Sequence, residues 1–171
     1  MRTWIDVADL AKSKNVDGRF VAVAAAGLPF VLEEGDEVAL VPPQLDVPRN
    51  VVVESVKPIS DDSAEIRFQG VDDADVAQQL VGMHCLIKRD LLDEGVFESA
   101  PALWQEWPVI DRHAGQIGVV CGIIENPGQD LLEVERDGGT VLVPLVDEIV
   151  ESVDVDAGCI YVNLPNGLLD L

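Results

Sequence analysis

The chain is short of the residues that most enzymes rely on. Its 171 residues include two histidines and three cysteines, and aromatic residues make up 5%. Cys85, Cys121 and Cys159 lie far apart and form no C-x-x-C pair, which removes the usual zinc and redox signatures. Each neighbours apolar residues, so buried free thiols in a reducing compartment are expected. There is no G-x-G-x-x-G and no Walker A sequence, so no phosphate cradle is indicated. No long hydrophobic run exists either. The longest, Phe20 to Leu32, is 13 residues and is broken by Gly27 and Pro29, too short to span a bilayer. The opening Met1-Arg2-Thr3-Trp4-Ile5-Asp6 puts an acid where a secretory leader needs apolar residues. A cytoplasmic protein is expected.

Positive charge is the other shortage, and it is uneven. Residues 1–98 hold 9 Lys/Arg against 19 Asp/Glu, a net of −10. Residues 99–171 hold 2 against 13, a net of −11. Phosphate backbones are bound through Lys and Arg with counterion release, so direct, tight binding of naked nucleic acid by residues 99–171 is not expected. An acidic surface instead suits a basic protein partner, or serves solubility alone.

What is present reads as strand. Phe20–Ala24, Glu37–Val41, Val51–Val56, Ala64–Phe68 and His84–Ile87 are short apolar or alternating runs within about ninety residues. Ala64, Ile66 and Phe68 share one face, with Glu65 and Arg67 on the other. One helix interrupts them. Asp72 is its expected N-cap, with Asp73 and Asp75 in the first turn. Val76, Ala77 and Leu80 supply an apolar stripe, and Gly82 the stop. Residues 91–102 lose periodicity and read as a linker. A second strand set follows in Gln116–Ile124, Leu131–Glu135, Val141–Val143 and Ile160–Leu164, with Asp137-Gly138-Gly139 as a tight hairpin turn. A short helical turn is expected within 147–153. The fold class is therefore mainly β, with two small β-barrels: 1–90, a linker over 91–102, and 103–171.

Candidate chemistry is sparse. His84 and Cys85 are adjacent on one strand, so they point to opposite faces and do not pair as base and nucleophile. His113 sits in the turn-like Asp111-Arg112-His113-Ala114-Gly115. The acid clusters Asp61-Asp62 and Asp72-Asp73-x-Asp75 lack the ordered series of a calcium loop. No catalytic residue, metal set or cofactor site is assigned. Trp104 and Trp107 stand out just after the linker. They suit either packing between the barrels or partner hot spots. A base-stacking platform would need interleaved basic residues, and none is near.

Three segments together resemble the RimM family of bacterial ribosome maturation factors. Gly70-Val71-Asp72-Asp73-Ala74-Asp75-Val76-Ala77-Gln78-Gln79-Leu80-Val81-Gly82 is similar to the family's G-V-x-D-R-x-x-A-x-x-L-x-G. Val141-Leu142-Val143-Pro144-Leu145-Val146-Asp147-Glu148-Ile149-Val150, then Val153-Asp154, resembles L-I-P-F-V-x-x-x-V followed by V-D. Leu164-Pro165-Asn166-Gly167-Leu168-Leu169-Asp170 resembles the terminal L-P-E-G-L-L-D/E. There are departures. In the family's early H-G-x-x-G, Lys14 and Asn15 stand for the His and first Gly, and Gly18 retains the second. Ser99 to Pro101 replace the tandem tyrosines before the second barrel.

The resemblance implies an N-terminal RimM barrel and a C-terminal PRC-barrel, without catalysis. It implies a small-subunit assembly chaperone, expected to be a monomer. Its C-terminal domain and linker would bind the ribosomal protein uS19, assisting 16S rRNA maturation with weak or indirect RNA contact. The expected contact residues are Leu103, Trp104, Trp107, Pro144, Leu145, Asp147 and Asp154. The alternatives are a PRC-barrel adaptor of another pathway and a metal-dependent RNA hydrolase using clustered acids.

Overall fold

A computed structural model describes residues 3–14 and 17–170. Met1, Arg2 and Asn15, on which readings above fall, lie outside the described residues. The chain divides into two compact units, one ending at Asp93 and one beginning at Glu94.

The first unit contains β1 (Trp4–Lys14), β2 (Arg19–Ala24), β3 (Glu37–Val41), β4 (Asn50–Ser60), β5 (Ser63–Phe68), α1 (Ala74–Leu80) and β6 (His84–Lys88). The strands close into a barrel in the order β1-β2-β5-β4-β3-β6, with every neighbouring pair antiparallel. Closure removes exposed sheet edges. The period-2 pattern read in β5 holds, with Ala64, Ile66 and Phe68 buried and Glu65 and Arg67 turned outward. Inside, Phe20 and Phe68 pack with ring centroids 5.7 Å apart, among Leu10, Ile66, Val53 and Ile87. Asp61 and Asp62 make the two-residue turn between β4 and β5, since Ser60 pairs with Ser63.

α1 begins one residue later than expected. Asp73, not Asp72, is the N-cap, and its Oδ1 accepts from the N–H groups of Asp75 and Val76 at 2.7 and 3.3 Å. Asp72 pairs with Arg67 instead. Ala77 and Leu80 are buried, while Val76 is half-buried. Gly18 takes φ +75°, and a Cβ there would lie 1.8 Å from the Val71 carbonyl oxygen. Only glycine allows that approach to the segment leading into α1.

The second unit contains α2 (Glu94–Ser99), β7 (Pro108–Asp111), β8 (Gly115–Ile124), β9 (Leu131–Arg136), β10 (Gly139–Pro144), β11 (Val150–Asp154) and β12 (Cys159–Val162). The reading of 91–102 as a linker needs correction. Glu94–Ser99 is helical, Pro101–Trp104 forms a 3₁₀ turn, and Phe97 and Ala100 are buried. The six strands run in the order β10-β9-β8-β7-β12-β11, with one parallel pair, β12 and β7. Asp137-Gly138 is the two-residue hairpin turn between β9 and β10, with Gly138 at φ +97°.

This sheet must curl strongly. Laid flat, its outer strands would be about 24 Å apart at the usual strand spacing. Yet β10 passes into β11 through residues 145–149, which reach about 20 Å at full extension. A turn shortens that reach, because the N–H groups of Ile149 and Val150 both donate to the Val146 carbonyl at 2.9 Å. The short connection thus rolls the sheet toward a barrel, although no ladder joins β10 to β11 among the described residues. The helical turn expected within 147–153 is confined to this connection, and from Val150 the chain is strand.

Candidate partner surface and side-chain clusters

The expected contact residues fall into separate places. Trp104 and Trp107 are interior, 3% and 4% exposed. Trp104 Nε1 donates to the Phe97 carbonyl at 2.6 Å, and the Trp107 ring stacks on Phe97 with centroids 6.2 Å apart. The indole N–H is thereby satisfied where water cannot reach it. Backbone bonds from Glu106 N to Val120 O and from Val120 N to Trp107 O stitch this cluster to β8. The two tryptophans therefore pack within the second unit. Leu103, between them and α2, is half-buried.

Pro144, Leu145 and Asp147 are brought together by the β10–β11 connection. The first two are half-buried and Asp147 is exposed. Leu145 N donates to the Asp130 carbonyl at 2.9 Å, which anchors the connection to the start of β9. Asp154 is not part of this group. It ends β11, about 13 Å along the strand from Val150, and its Oδ1 accepts from Ala157 N at 2.8 Å in the following turn.

The two cations of residues 99–171 are both engaged. Arg112 Nη1 bonds Glu151 at 3.0 Å, and Arg136 Nη1 donates to the Leu169 carbonyl at 3.1 Å. The acids of this unit, Asp147 among them, outnumber its cations heavily and several are exposed. Its surface field is therefore negative.

One acid works inside. Asp111 is 4% exposed. Its Oδ1 accepts from His113 N and Ala114 N at 2.9 and 2.8 Å, and its Oδ2 from Leu164 N at 2.9 Å. Burial pushes this carboxyl up, but the N–H groups of Leu164, Ala114 and His113 outweigh it and hold it below the usual range. Asp111 thus ties the β7–β8 turn to the start of the Leu164–Asp170 segment. Sequence reading took Asp111 as part of an exposed turn. Its hydrophobic neighbours Val109 and Ile110 were the available signal for an inward position.

The histidines and cysteines do not meet as nucleophile and base. His113 is exposed, and His84 and Cys85 point to opposite faces as strand geometry requires. Burial pushes the Cys85 thiol far up, so it is a poor nucleophile. Cys159 is buried, but Cys121 is exposed on β8, contrary to the expectation of three buried thiols. His84 faces Asp6 and Asp9, a grouping sequence reading missed. Partial burial raises the Asp6 carboxyl, a rise opposed by His84 and reinforced by Asp9.

The fold and these clusters define a two-unit, mainly β protein whose second unit presents an acidic surface poor in free cations. Residues 104–168, which contain all six strands of that unit's sheet, match the family model of the RimM PRC barrel domain. In that unit the chain is similar to the RimM family. It is 38% identical over 116 residues to the ribosome maturation factor RimM of Parafrankia sp. (strain EAN1pec), covering 62% of this chain and 53% of that protein. It is 37% identical over 109 residues to RimM of Kocuria rhizophila, covering 61% and 57%. The chain thus spans little more than half the length of these curated relatives. A crystal structure of a 16S ribosomal RNA processing protein RimM from Pseudomonas aeruginosa aligns over 95% of this chain and 98% of that one, at 18% identity and a TM-score of 0.43. No helix among the described residues is long and apolar enough to cross a membrane.

Proposed function

We propose that this protein is a non-catalytic assembly factor for the small ribosomal subunit, whose second unit docks a basic ribosomal protein. The match of residues 104–168 to the RimM PRC barrel domain carries the reading. Relatives that the chain matches at 37–38% identity are named ribosome maturation factors. Electrostatics supports it: with Arg112 and Arg136 engaged, the second unit offers acids to a cationic partner and little to a phosphate backbone.

The partner is uS19, and 16S rRNA maturation is assisted through that protein rather than by direct, tight RNA binding. The contact lies along the β10–β11 connection, where Pro144 and Leu145 supply apolar area and Asp147 supplies steering charge. Leu103 flanks the buried aromatic cluster. Trp104 and Trp107 act beneath the surface, keeping it rigid, and Asp154 contributes long-range charge.

Calorimetric titration of the protein with purified uS19 at two salt concentrations tests this, with a 16S rRNA fragment as parallel titrant. Binding to uS19 that weakens with salt, is reduced by Asp147→Lys and exceeds any binding to the fragment is expected. No binding to uS19 would sink the partner assignment and favour an adaptor role in another pathway.

A further inference from the structure

The first barrel carries a side-chain cluster that the proposed docking role does not use. β1 has a bulge: Asp6 pairs with Leu86 and Ala8 with Cys85, so two steps of β1 face one step of β6. Val7 and Ala8 therefore both point inward, 0% and 1% exposed. The inside–outside alternation is shifted by one residue beyond that point. Asp6 and Asp9 are three residues apart, and an unbroken strand would send them to opposite faces. The bulge brings both to the outer wall. Across the ladder Asp9 pairs with His84, which also points outward because Cys85 points in. His84 Nδ1 lies 2.5 Å from Asp9 Oδ1 and 3.1 Å from Asp6 Oδ2. One ligand atom from each of the three residues falls within 4.8 Å of the others.

We propose that Asp6, Asp9 and His84 form a surface site for a divalent transition-metal cation, held by His84 Nδ1 and one carboxylate oxygen of each aspartate. An imidazole nitrogen with two carboxylates is a borderline donor set, suited to zinc, cobalt, nickel or manganese. Calcium and magnesium prefer all-oxygen shells. Bonds of about 2.1 Å place neighbouring ligand atoms about 3.0 Å apart in octahedral and about 3.4 Å apart in tetrahedral coordination, a range that brackets the 3.1 Å between His84 and Asp6. The 2.5 Å His84–Asp9 contact must open by roughly 0.5–0.9 Å to admit a metal between the two atoms. Neutral imidazole and two carboxylates balance a divalent charge. Adjacent strands of a closed barrel hold the donors in place before binding, which lowers the ordering cost. The three side chains are 44–49% exposed, so the remaining coordination positions open to solvent.

The competing occupant is a proton, with an imidazolium shared between two carboxylates. The chain's net charge of −21 also attracts cations generally. The test is therefore calorimetric titration of the full, metal-stripped chain with Zn²⁺ above neutral pH and in excess Mg²⁺. It uses a Cys121→Ser background, because that exposed thiol is itself a zinc ligand. One zinc per chain is expected, with affinity falling on the order of tenfold or more in His84→Ala and in Asp9→Asn. NMR of the histidine rings should show His84 shifting on zinc addition and His113 unmoved. Zinc affinity unchanged in His84→Ala, or absence of saturable binding, overturns the site. Should a variant fail to fold, an unperturbed His84 ring in the parent chain overturns it equally.

Discussion

The two units treat charge in opposite ways. In the first, acids and bases meet on the barrel wall. Glu65 takes Lys14 at 2.9 Å and Arg19 at 3.0 Å, Arg19 also reaches Asp17 at 2.7 Å, and Arg67 bonds Glu54 at 2.8 Å. In the second, thirteen acids over residues 99–171 face two arginines. The first unit uses its charges to decorate a closed ladder. The second has far more acids than cations and is held by apolar packing, a short connection and one buried carboxylate. An outward negative field is thus compatible with a stable unit, because little of its stability depends on surface ion pairs.

The largest effect that would break this comparison is on the aromatic cluster. Trp107→Ala should cost about 3–5 kcal/mol, as deleting a buried tryptophan does. Urea denaturation checks it, and a variant as stable as the parent would mean that Trp107 is a surface anchor. Asp111→Ala should follow, at about 3 kcal/mol, because three backbone N–H groups, that of Leu164 buried, lose a charged acceptor. Its pH dependence has a definite sign. The folded carboxyl titrates below its unfolded range. Its stabilisation is therefore complete above that unfolded range and is lost as pH falls through the folded value. Urea midpoints across acidic pH should fall more steeply for the parent than for Asp111→Asn. The smallest effect sharpens the contrast. Glu65→Gln should lower the thermal midpoint slightly and leave partner binding intact, whereas Asp147→Asn should slow association with a basic partner without touching the midpoint.

Much of the architecture was readable along the chain. Nine of the twelve strands among the described residues, α1 and the Asp137-Gly138 turn follow from period and turn chemistry. β1, β7 and β11 were missed. β1 is bulged between Asp6 and Ala8, which hides its alternation, although Asp6-Val7-Ala8-Asp9 carries the signature of consecutive inward residues. β7 is four residues long, and β11 has a register shift between Val150 and Ser152. The linker reading failed because Phe97 and Ala100 gain their partners from tertiary packing, not from a helical stripe of their own.

The sequence alone determined the mainly β class, the division into two parts, the scarcity of positive charge after residue 99 and the family likeness. All of these are properties of order and composition. Only the tertiary structure decided which side of a surface each candidate occupies. Burial depends on what packs from elsewhere, and so Trp104 and Trp107 turned inward. A one-residue slip of phase likewise put Asp6 and Asp9 beside His84, a neighbour 75 residues from Asp9 in sequence.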